Sequence, residues 1–112
     1  MAEIESRDDG ITVDMKRQEA AALATVALIG LDIEEALARI QNTAAAERAL
    51  VRVRASRGAL SLRRPEAAAL ATIVETALAL SGSPRGVFRP FFRAIDMAAA
   101  RRGLDQLKGA LR

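Results

Sequence analysis

Arginines and carboxylates are the reactive groups this chain holds in quantity. Fifteen of its 17 basic residues are Arg, 14 residues are Asp or Glu, and there is no His and no Cys. Without Cys the chain forms no disulfide, no thiolate metal cluster and no Cys nucleophile. Without His it lacks the base of Ser–His and Cys–His hydrolysis. The remaining chemistry is acid–base work or hard-cation binding by paired carboxylates, and recognition of phosphates or carboxylates by guanidinium groups.

Two carboxylate pairs invite the first kind of chemistry. Asp32 and Glu35 share a helix face, and Glu19 and Glu66 occupy matching places in two similar segments. Each of the four also has a local structural task, as a cap or as an acid near the positive end of a helix dipole. No His completes a di-metal helix motif. No catalytic, cofactor-binding or metal-ligating residue is therefore expected, and the chain reads as non-enzymatic. Its scattered glycines form no phosphate-cradling loop.

The arginines are clustered. Arg48, Arg52, Arg54, Arg57, Arg63 and Arg64 fill the centre of the chain, and Arg85, Arg89 and Arg93 follow at spacings of four. Residues 1–14 carry a net charge of −4, so the overall +3 leaves +7 on residues 15–112. Such a basic stretch suits nucleic acid or an acidic protein surface. The expected contacts are Arg52, Arg54, Arg57, Arg63, Arg64, Arg85, Arg89 and Arg93. Against nucleic acid stands the lack of Tyr and Trp for base stacking, since the three aromatics, Phe88, Phe91 and Phe92, fit an apolar core or a hydrophobic anchor.

The elements that hold these groups are legible in part. Residues 13–26 and 60–73 match at eight of fourteen positions, which places Val13 opposite Leu60 at an offset of 47 residues. Both segments run from a polar residue, Asp14 or Ser61, through Glu19 or Glu66 into an Ala-rich stretch of high helix propensity. Asp14 and Ser61 are the expected N-caps, and Pro65 suits a first helical turn. Helices are expected over about 15–29, ending near Gly30, over 32–48 with Asp32 as cap, and over 62–80. Residues 1–12 read as an acidic flexible tail, and Ile11 to Val13 as a short strand or an extended lead-in.

Two stretches are ambiguous. Residues 50–55 alternate apolar and charged side chains, and Leu60-Ser61-Leu62 alternates again, so a short β-hairpin over 50–62 competes with continued helix. In the last segment Leu104, Leu107 and Leu111 fall on the opposite side of an ideal helix from Ile95. The helix then either bends at Gly103 or shows two apolar faces, the second of which would seek a partner.

The expected fold is thus all-α. About four helices come from two duplicated helical hairpins, 13–59 and 60–112, in one domain spanning 13–112. The expected function is a small bacterial-type interaction or regulatory module in the cytoplasm. It would bind a protein partner and self-associate, a dimer being favoured, through Leu104, Leu107, Leu111, Phe88, Phe91 and Phe92. The alternative is a nucleic-acid-binding protein using the Arg-rich surface. No apolar run is long enough for a membrane span.

Overall fold

A computed structural model describes residues 10–33, 43–55, 59–82, 93 and 95–112. Strand β1 (Gly10–Asp14) leads into helix α1 (Arg17–Asp32), followed by α2 (Thr43–Ala55), strand β2 (Ala59–Arg63), α3 (Arg64–Ser81) and α4 (Met97–Leu111). The fold is mostly helical with one small antiparallel sheet. None of the described helices is long and apolar enough to cross a membrane.

The sheet departs from expectation. No hairpin forms over 50–62, because residues 50–55 continue α2 and β2 pairs with β1 instead. Burial explains the choice. Ala45, Ala46, Ala49 and Val53 are buried on one side of α2, a helical spacing that outweighs the local alternation of charges. Ile11, Val13, Leu60 and Leu62 alternate with exposed residues in the two strands, so one face of the ribbon joins the core and the other meets solvent. The register sets Gly10 against Arg63, Thr12 against Ser61, Val13 against Leu60 and Asp14 against Ala59. Residues 10–12 thus belong to a strand rather than to an acidic tail.

The strands displace the expected caps. Asp14 and Ser61 sit within strands, and the N-cap positions fall to Lys16 and Arg63. The first-turn glutamates do the capping instead. The Lys16 N–H donates to Glu19 Oε1 (3.1 Å) and the Arg63 N–H donates to Glu66 Oε1 (3.2 Å), the reciprocal half of a capping box. Pro65 lies in the first turn of α3 as its fixed φ favours.

The helices pack more across the two expected hairpins than within them. α1 lies mainly against α4 and α3, and α2 mainly against α3. Gly30 therefore does not end its helix, which continues to Asp32; it lets α1 approach α3, since a Cβ there would stand 2.7 Å from Ile73 Cγ1. Asp32 is the last residue of α1, and Glu35 lies outside the described residues. Ile95 precedes α4, whose Ala99, Ala100, Gly103, Leu104 and Leu107 form one buried face. The two-faced helix expected from the sequence is thus resolved by a later start, capped by Asp96 accepting from the Ala99 N–H (3.0 Å).

Candidate nucleic-acid interface

The solvent face of the ribbon carries Gly10, Thr12 and Asp14 on β1 and Ser61 and Arg63 on β2, all exposed. Their alternation with buried Ile11, Val13, Leu60 and Leu62 fixes that orientation, because a slip of one residue would turn the apolar set into water. Each strand runs directly into a helix whose first residues are basic. Lys16 and Arg17 follow β1, Arg63 closes β2, and Arg64 opens α3; all four are exposed. Because the strands are antiparallel, the two basic pairs stand at opposite ends of the ribbon.

Beneath them lie two buried glutamates, each only 2% exposed. Glu19 Oε2 accepts from Arg102 Nε on α4 (3.1 Å). Glu66 Oε2 accepts from Arg48 Nε on α2 (3.1 Å), and Arg52 stands 3.7 Å from its Oε1. The glutamates are tied to different arginines instead of forming the carboxylate pair that their matching sequence positions suggested. Every buried side-chain N or O among the described residues has a hydrogen-bond partner. No group of three or more described carboxylates converges on a metal position.

These bonds also define what the helix ends can offer. The Lys16 and Arg63 amides, at the starts of α1 and α3, are already taken by Glu19 and Glu66.

The Glu19 carboxyl is held below its ordinary value, first by the hydrogen bond from the Lys16 amide and then by Arg102, against the opposing effect of burial. A depressed folded pKa contributes stability that is present above the unfolded value, about 4.3, and is lost as pH falls through the folded one. Thermal melts of the native chain should therefore lose stability on acidification below about pH 4.5. Glu19→Gln should be less stable at neutral pH and show a flatter acid limb; an unchanged acid limb would remove Glu19 from that role.

The other expected contacts divide sharply. Arg52 donates to the Ser61 carbonyl at the edge of β2 (3.5 Å), and Arg64 donates to the Leu111 carbonyl (2.8 Å). Arg54 is exposed at the end of α2, where it lines a groove together with Arg17. Arg93 is exposed in a turn. Arg57, Arg85, Arg89, Phe88, Phe91 and Phe92 lie outside the described residues. Comparison with protein-family models, with curated proteins and with solved structures finds no match.

The leucine stripe requires a correction. Leu107 is fully buried and Leu104 is 7% exposed, both in the core of this same chain, with Leu111 partly buried against it. Leu104 and Leu107 are already covered and do not form a free docking face, while Leu111 is partly exposed. Thr12, Lys16 and Arg17 were not among the contacts expected from the sequence. The signal was present in two short alternating runs, Ile11 to Val13 and Leu60 to Leu62, at the heads of the matching segments.

Proposed function

We propose that this chain binds double-stranded DNA non-catalytically by placing the β1–β2 ribbon in the major groove. The observation that carries this function is the polar outer face of the ribbon with a basic pair at each end. B-DNA's major groove, about 12 Å wide and 8.5 Å deep, admits a two-stranded β-ribbon, and strands are an established means of groove readout. Lys16 and Arg17 at one end and Arg63 and Arg64 at the other would meet phosphates on either side. The lack of stacking aromatics, which weighs against single strands, does not weigh against groove binding.

The test is binding of a labelled duplex across a salt series. Affinity should fall steeply with salt, the log–log slope losing about 0.9 for each phosphate contact removed. Arg17→Ala with Arg63→Ala should flatten that slope and weaken binding at both ends without lowering the melting temperature. A-form duplex RNA, whose major groove is deep and narrow, should compete poorly. Salt-independent binding, or none at low salt, would overturn the proposal.

A second reading, docking of an acidic protein segment, has one observation of its own. A groove of about 530 Å³ between α1 and the end of α2 is floored by Ala21 and Ala24 and flanked by Arg17 and Arg54. Leu28, at 43% exposure, lies one turn further along α1. The matching residues of α3, Ala68 and Ala71, share their groove with Leu111 and Lys108 of α4, so a helix carrying leucine suits such a surface. An acidic amphipathic peptide should bind the native chain and lose affinity on Arg54→Glu; no binding to the native chain would remove this reading.

A further inference from the structure

We infer that the DNA sequence read by this ribbon is not a palindrome and that Asp14 determines its asymmetry, an inference that rests on the DNA-binding function proposed above. A reader assembled from two copies of one strand shows the same side chains to both halves of its site, so its operator mirrors its own two-fold symmetry. Here both strands belong to one chain and differ in sequence.

The register allows a residue-by-residue comparison. Val13 faces Leu60 across the ribbon, and these two residues are also the matched positions of the similar segments. The local two-fold axis of the antiparallel pair therefore passes between them and exchanges each β1 position with its own sequence match in β2. It carries Thr12 onto Ala59, Asp14 onto Ser61 and Lys16 onto Arg63. The flanking cations keep their charge under this exchange. Asp14 and Ser61, both exposed, do not keep their hydrogen-bonding character.

The exchange of Asp14 with Ser61 matters most. A serine hydroxyl both donates and accepts, whereas an ionised carboxylate only accepts. In the major groove the donors are the amino groups of cytosine and adenine. Guanine N7 and O6 and thymine O4 are acceptors, and a carboxylate pairs with cytosine N4. On the half of the site facing Asp14, a cytosine amino group satisfies the carboxylate, while a guanine acceptor edge repels it. On the half facing Ser61, either edge is tolerated. No salt bridge of Asp14 occurs among the described residues, and its side chain is exposed.

Selection of bound duplexes from a randomised pool, using the full chain, tests the inference. The native chain should enrich a motif that differs from its own reverse complement, with cytosine required on one side. Replacing that cytosine by guanine should lower affinity about tenfold, in line with the usual cost of a mismatched pair. Asp14→Ser, which gives β1 the residue β2 already carries at the matching place, should abolish that tenfold discrimination and make the central motif more nearly palindromic. Its affinity for arbitrary duplex should be equal or higher, because a negative charge has been removed from the interface. A palindromic native motif would overturn the inference, as would the same cytosine requirement in Asp14→Ser. Salt-dependent duplex binding with no enriched sequence would overturn it while leaving the DNA-binding function standing. Absence of duplex binding would overturn both. An unchanged far-UV spectrum and melting temperature of Asp14→Ser keep these outcomes free of folding effects.

Discussion

Leu107→Asp should abolish the cooperative thermal transition. Leu107 is fully buried in the core, on the face of α4 that also buries Ala100 and Leu104. Removing a buried leucine side chain costs about 2–5 kcal/mol, and an aspartate there must either bury a charge without a counter-ion or take up a proton. Burial of an unpaired charge adds several kcal/mol more. Against a total of about 5–15 kcal/mol for a domain, the sum leaves little or no folded protein. Far-UV circular dichroism should show a shallow, non-cooperative melt and greatly reduced helicity. A folded Leu107→Asp of lower assembled mass would instead restore the leucine stripe as a docking face between copies. Leu111→Asp is the matched comparison: partly exposed at the end of α4, it should cost far less.

Gly30→Val should be the second severe change. The new Cβ would lie 2.7 Å from Ile73 Cγ1, 3.2 Å from the Ile73 carbonyl oxygen and 3.3 Å from Ala77 Cβ. Ile73 is itself fully buried, and its branched side chain has few rotamers into which to retreat. One of the neighbours is backbone, so α1 and α3 would have to separate. Overpacking of this kind costs about 1–3 kcal/mol and sometimes more, and valine's two further methyl groups place it at the upper end. Gly109→Ala gives the opposite sign. No atom lies within 4 Å of the added carbon, and alanine gains about 0.5–1 kcal/mol over glycine inside a helix. Denaturant midpoints of the two variants should therefore bracket that of the native chain. A Gly30→Val midpoint equal to the native one would mean that the close approach of α1 and α3 is not needed.

Both positions mark where sequence patterning stops, and α3 shows where it succeeds. The body of α3 is readable from the spacing of Leu70, Ile73, Val74, Ala77 and Leu78, because helical burial is set by neighbours three and four residues away. The first-turn glutamates and Pro65 are readable for the same local reason. Gly30 was read as a helix stop because a local window registers its poor propensity but not the Ile73 side chain facing it from α3. The ribbon was harder still. Leu60 to Leu62 alternates clearly, but its partner is Ile11 to Val13, far away in sequence, whereas Val51 to Ala55 lies close by and alternates too. Strand pairing is decided by which apolar faces share a core, and that is a tertiary property. The candidate interface was legible as charge, in Arg63 and Arg64, but not as shape, because Thr12 and Lys16 gain their place only once the strands pair.

That both strands of the ribbon lie on one chain has a consequence for dilution. A ribbon assembled from two molecules dissociates as concentration falls, and its melting temperature falls with it. Here strand pairing is an intramolecular step, with an effective concentration set by the chain between the strands rather than by how much protein is present. The ribbon should therefore melt at the same temperature at nanomolar and micromolar protein, and a single molecule in a cell would carry it complete.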